Sequence, residues 1–186
     1  SMLDLLVNSL RMRPDRIIVG EIRRKREAEV LFEAIHTGHS VYATVHANDT
    51  RETITRLTNP PIEIPRTMLP AISMIVVQYR NRRTGVRKTF QISEILSDSE
   101  PNVLIQLDIR KCILKKVANS RALMATLELF TGFTRNEINR SLTEKEVILK
   151  WLVKHNVNTV DTVGRAMAEY YTNKDNLMDY VRKNKP

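Results

Sequence analysis

The sequence predicts an α/β domain over residues 1–109, followed by a small all-helical domain over residues 110–186. Three observations predict it. A strand, a helix and a second strand follow one another between residues 16 and 46; β-branched runs joined by a glycine-containing turn fill residues 72–109; and residues 134–172 carry repeated helix-start patterns. The 186 residues, 42% hydrophobic and 27% charged, have the make-up of a folded chain and the length for a truncated domain plus a small second one.

Ser1-Met2-Leu3-Asp4 runs directly into Leu5, Leu6 and Leu10, a start that reads as a cloning scar joined to the middle of a larger protein. Residues 4–12 have helical spacing, and Pro14 ends that helix by disfavouring helical geometry at Arg13. Residues 16–20 are a short β-branched run, apolar on both faces as in a buried parallel strand, with Glu21 at its end. Ala28, Val30, Leu31, Ala34 and Ile35 then recur at helical intervals, and Gly38 is placed to cap their helix. Residues 40–46 form the second strand. The βαβ unit so made brings both strand ends to one edge of the sheet, the carboxyl edge at which open α/β sheets bind ligands.

Asn48 or Asp49 caps a further helix to about Leu57, Pro60-Pro61 stiffens the connection, and Pro65 starts another helical turn. Residues 72–79 and 86–95 make a hairpin around Gly85, and residues 103–109 a further strand. After Arg110 the pattern turns helical to the end. Thr134 with Glu137 and Thr143 with Glu146 are capping boxes that start two short helices, and a third covers about residues 160–172 behind Asn158 or Thr159.

The net charge of +9 and isoelectric point near 9.9 point to an acidic partner: nucleic acid, anionic lipid and nucleotide phosphates all qualify. The basic residues gather at Arg23-Arg24-Lys25-Arg26, across residues 80–88, and at Arg110-Lys111 with Lys115-Lys116. Cys112, the single cysteine, excludes an internal disulfide and a multi-cysteine zinc site; it reads as a buried or half-buried packing residue in a reducing compartment. No apolar run reaches the roughly 20 residues of a membrane span, and the N-terminus has no signal-peptide pattern.

The chemistry is concentrated at two strand ends. Ile17-Ile18-Val19-Gly20-Glu21 is the pattern of a Walker B segment, in which a carboxylate fixed on a rigid strand faces a terminal phosphate and orients water in line with the leaving group. The second strand follows Thr37-Gly38-His39 and ends in Thr44-Val45-His46-Ala47-Asn48-Asp49, which delivers His46 to the same edge as Glu21. His36 reads as a hydrogen-bonded structural residue.

The run from Leu10 through Arg23, with Thr37-Gly38-His39 and residues 44–49, resembles the type II/type IV secretion ATPases. Among these it is similar to the archaeal members that drive pilus, archaellum or secretion assembly. The match is dense over residues 3–57, looser through the hairpin region and fainter over the helical tail. The resemblance implies a partial RecA-like P-loop core. It implies ATP and Mg²⁺ as cofactors, a homohexameric ring at the cytoplasmic face of the membrane, and a membrane-embedded platform protein as partner, with no nucleic acid. Glu21 resembles the catalytic glutamate and His46 the histidine-box residue that senses the terminal phosphate. Gly20 stands where related ATPases carry an aspartate, so metal contact near Glu21 runs through water. Thr44, Gly38 and His39 match the rest of the histidine box, shaping the strand or touching ligand. Arg23 matches the arginine after the glutamate, as an ion-pair partner or a nucleotide contact.

The family's phosphate-binding loop, a glycine-rich turn ending in Lys and Ser or Thr, does not occur among these residues, which include only five glycines. Tight ATP binding by this chain alone is therefore not expected, because no loop of backbone amides cradles the phosphates. In such ATPases the phosphate-loop strand lies beside the histidine-box strand, so the edge of residues 40–46 is expected to be open to self-association. Two other readings compete. A basic helix-turn-helix would use Arg135, Arg140 and Lys145 on nucleic acid, against the acidic residues interspersed with them. A metal site on His36, His39 and His46 is opposed by Gly38, which breaks the helix between the first two.

Overall fold

The computed structural model describes residues 1–183. Helix α1 (Met2–Arg11) starts in a capping box, Ser1 with Asp4. Past it, Arg13 takes a left-handed backbone (φ 48°) directly before Pro14, which ends the helix. Strand β1 (Arg16–Val19), helix α2 (Lys25–His36) and strand β2 (Ser40–Ala43) follow. The two strands pair in parallel, Arg16 opposite Ser40 through Val19 opposite Ala43. Gly38, at φ 93°, closes α2: its N–H reaches the Ile35 carbonyl and the next N–H, of His39, reaches Ala34.

This sheet differs from the expectation in one respect. Ile17 and Val19 are buried among Leu6, Leu31 and Ala34, but Ile18 is 80% exposed beside its register partner Tyr42. Helices α1 and α2 cover one face of the strand pair, and among the described residues the apolar side chains on the other face have no cover.

Helix α3 (Thr50–Thr58) is capped by Asp49, whose carboxylate accepts from the Glu52 amide. A 3₁₀ turn (Arg66–Ala71) follows Pro65. A second, four-stranded antiparallel sheet is built in the order β3 (Ile75–Arg80), β4 (Arg87–Ile95), β5 (Pro101–Asp108), β6 (Ile113–Lys116). The core between this sheet and the preceding helices gathers Phe32, Ile54, Leu57, Ile64, Leu69, Val77 and Ile95.

Strand β6 replaces the helix expected after Arg110. Its turn is made by Asp108, whose carboxylate accepts from the Lys111 amide and pairs with Lys115 at 2.7 Å, and by Cys112 at φ 55°. Cys112 is exposed in that turn rather than packed.

The chain divides into compact units at Ala125/Thr126, against the boundary expected at residue 110. Helix α4 (Ala122–Thr131) crosses the division, and its start is fixed from within the first unit. The fully buried Glu94 of β4 accepts the amides of Arg121 (2.7 Å) and Leu123 (2.9 Å), the Ser120 hydroxyl and the Asn102 side chain.

In the second unit, α5 (Arg135–Lys154) starts at the Thr134–Glu137 capping box, but it does not stop at Thr143. The Thr143 hydroxyl turns back to the Asn139 carbonyl, because the buried stripe Ile138, Ile148 and Leu152 holds one helix of 20 residues through the second box. Helices α6 (Val160–Thr172), capped by Thr159, and α7 (Lys174–Arg182) pack on it around Tyr170, Leu177 and Met178. The short helices of a helix-turn-helix are absent from residues 134–154, and Glu144 there is engaged by both Arg140 and Lys174.

Candidate functional site

Both parallel strands end at the same rim, and the ladder continues past their assigned ends. The Ile22 amide donates to the Thr44 carbonyl at 3.0 Å, and the Thr44 hydroxyl donates to the Gly20 carbonyl. These bonds hold the backbones of Gly20-Glu21-Ile22 and Thr44-Val45-His46 side by side. Glu21 and His46 meet there, with His46 Nε2 at 3.4 Å from Glu21 Oε1, an ion pair when the imidazole is protonated. Arg23 Nε donates to the other carboxylate oxygen at 2.6 Å. The Glu21 side chain is 22% exposed whereas Arg23 and His46 are 72% and 83% exposed. A sheltered carboxylate is thus held between two cation-forming groups that have room to turn toward a ligand.

A Cβ at Gly20 would meet nothing within 4 Å, so the rim is open beside the carboxylate. The loop after His46 is pinned from α3: Glu52 accepts the Asn48 amide (2.8 Å) and side chain (2.7 Å) and pairs with Arg56 at 3.0 Å. The Asn48 amide, followed by Arg56, holds the Glu52 carboxyl below its ordinary range.

The other histidine-box positions lie elsewhere. Gly38 and His39 precede β2 while Thr44 and His46 follow it, at opposite ends of the strand. His39 Nδ1 lies 3.2 Å from the Ala34 carbonyl and 3.1 Å from Thr37 Oγ1. His36 Nδ1 donates to the Phe32 carbonyl at 2.7 Å. Both rings are tied to the end of α2 and neither reaches the rim.

Sequence reasoning missed a set of polar residues behind the site. The buried Thr50 donates its amide to Gln91 Oε1 (2.9 Å) and lies 2.7 Å from Ser93 Oγ, while Gln91 donates to Gln106 Oε1 at 2.7 Å. This network ties the start of α3, four residues beyond His46, to strands β4 and β5. The one sequence signal was a threonine directly after a capping aspartate.

A carboxylate between an imidazole and a guanidinium thus stands at this strand edge, and a family match decides which lineage the edge belongs to. The model of the type II/IV secretion system protein family matches residues 1–164. The chain belongs to that family. It is 34% identical over 177 residues to the uncharacterized protein MJ1287 of Methanocaldococcus jannaschii, covering 91% of this chain and 65% of the relative. It is 39% identical over 87 residues to the type IV pilus assembly ATPase PilB of Acinetobacter baylyi, covering 46% of this chain and 15% of that protein. It is also 40% identical over 75 residues to the PilB of Pseudomonas aeruginosa, 40% of this chain and 13% of that protein. The chain thus spans less than two thirds of the length of these relatives. As a type II/IV secretion family member it has an α/β first unit, and no helix among its described residues is long and apolar enough to cross a membrane.

Proposed function

We propose that this chain carries the hydrolytic rim of a motor ATPase that drives pilus assembly or secretion. The carrying observation is the meeting of Glu21 and His46 at the shared end of two parallel strands. In this reading the first unit is part of a RecA-like core. The full-length motor is a homohexamer at the cytoplasmic face of the membrane, working against a membrane-embedded platform protein.

Glu21 accepts the proton of the attacking water and orients it toward the terminal phosphate. Both carboxylate oxygens are engaged, by Arg23 and by His46. Turning either exposed group toward a phosphate frees one oxygen to receive that proton. His46 is then the phosphate sensor, while Thr44 and Gly20 register one strand end against the other. Gly38 and His39 shape the turn into β2 and touch no nucleotide.

Among the described residues no group of three His, Cys, Asp or Glu side chains is placed to hold a metal. Glu21 is the one rim carboxylate that would contact a Mg²⁺, through water, and the ion would supply neutralisation of phosphate charge. The phosphate cradle itself is supplied by a segment outside these 186 residues, and hydrolysis by this chain alone is negligible. ATP turnover by the full-length protein, with Glu21→Gln as comparison, tests the reading.

The same reading makes the outer edge of β2 and the bare Ile18–Tyr42 face an association surface. The 186-residue chain is expected to self-associate with rising concentration in light scattering, with added amide protection along residues 40–46. A monomer at all concentrations would remove this surface from the account.

A further inference from the structure

Two runs of basic residues that are distant in sequence meet at one end of the four-stranded sheet. Strands β3 and β4 pair through Arg80 and Arg87 at the mouth of one turn, and β5 and β6 pair through Asp108 and Ile113 at the mouth of the other. The antiparallel order places both turns at the same end, and Lys88 Nζ joins them by donating to the Cys112 carbonyl at 2.8 Å. Arg82 and Arg83 lie in the first turn, Arg87 and Lys88 just after it, and Arg110 and Lys111 in the second turn, all exposed. Asp108 is the only carboxylate within residues 80–88 and 108–116, and Lys115 already engages it.

Aliphatic side chains stand among these cations. Val86 is exposed in the first turn, and Ile109 and Ile113 flank the second at 55% and 50% exposure. An open cleft of about 850 Å³ runs between the two turns, lined by Arg80, Arg82 and Ile109, and reaches Ala47 and Asn48 in the loop after His46.

We infer that this end of the sheet docks on an anionic lipid bilayer. Clustered Lys and Arg take the phosphate headgroups, and aliphatic turn residues enter the headgroup–acyl boundary, where they leave water without meeting a charge. A nucleic acid would use the cations but not the aliphatic tips. A single strand would also want an exposed stacking ring, whereas the nearest rings, Tyr79 and Phe90, face each other half-buried and Phe90 packs on the core. The surface is independent of the ATPase reading, and its test measures binding rather than turnover.

The test is co-sedimentation of the 186-residue chain with vesicles of phosphatidylcholine alone and of phosphatidylcholine containing about one third phosphatidylglycerol. Binding to the anionic vesicles and not to the neutral ones is expected. Replacing Arg82, Arg83, Arg110 and Lys111 by Gln lowers that affinity about fivefold per cation, several hundredfold in all. Removing four exposed cations elsewhere (Arg11, Arg16, Arg51 and Arg165 to Gln) has a far smaller effect at the same net charge. Val86→Ser with Ile109→Ser weakens vesicle binding several-fold with no change in charge. Equal losses in the two four-cation variants, equal binding to neutral vesicles, or no vesicle binding would overturn the proposal. So would a serine pair that leaves vesicle binding intact while the Gln variant abolishes binding to a DNA duplex, the outcome that assigns the patch to nucleic acid.

Discussion

In the full-length protein Glu21→Gln is expected to lower ATP turnover by about 10²-fold or more and to leave ATP binding in place. The direction follows from the rim. Gln keeps the shape of the side chain and a carbonyl oxygen for Arg23, so the local backbone, held by the Ile22–Thr44 and Thr44–Gly20 bonds, does not move. What is lost is the negative charge, and with it the capacity to take a proton from water. Steady-state hydrolysis measured beside equilibrium binding of a fluorescent ATP analogue separates the two effects. Wild-type turnover in the variant would remove Glu21 from the role of base, and loss of binding with unchanged kcat would make it a binding residue instead.

The second large effect concerns stability. Burial alone pushes the Glu94 carboxyl up, but the amides of Leu123 and Arg121, with Asn102 and Ser120, outweigh it and hold the pKa down at about 2 against an ordinary 4.5. The folded value lies below the unfolded one, so the unfolded chain binds the extra proton first. The contribution is fully present above about pH 4.5 and is lost as the pH falls toward 2. At about 1.4 kcal/mol for each tenfold in acidity this is on the order of 3 kcal/mol.

Glu94→Gln is therefore expected to lower unfolding free energy near neutral pH by about 2–4 kcal/mol, since a neutral amide meets donors that had a carboxylate. The gap between variant and wild type should close on acidification. Urea unfolding at pH 7 and at pH 3 checks both points. A gap that stays constant with pH would mean that packing, not charge, fixes the start of α4.

Much of the first unit could be read from local signals. Gly38 sits directly after its helix, Asp49 directly before its own, and Glu21 and His46 stand at the ends of short apolar strands, so neighbouring residues carry the information. What was not legible depends on partners far along the chain. The start of α3 is held by Gln91 and Ser93, 41 and 43 residues away, and the start of α4 by Glu94, which in sequence is one more residue of a β-run.

Thr143 and Glu146 form a valid local cap, but the stripe Ile138, Ile148 and Leu152 gains more by burying one continuous helix. Ile18 looks like core because it is apolar, yet among the described residues nothing covers its face of the sheet. The two basic runs became one surface only when β6 folded back on β5.

The histidines offer the most direct test of the central claim, that the Glu21–His46 rim faces the terminal phosphate. His36 and His39 are tied to the end of α2, and His155 caps α5 in the second unit. Imidazole ¹⁵N spectra of the full-length protein should be compared without nucleotide and with ADP–beryllium fluoride, a mimic of the terminal phosphate. The His46 resonances are expected to move while those of His36, His39 and His155 stay in place. With the nucleotide demonstrably bound, an unmoved His46 would contradict the claim.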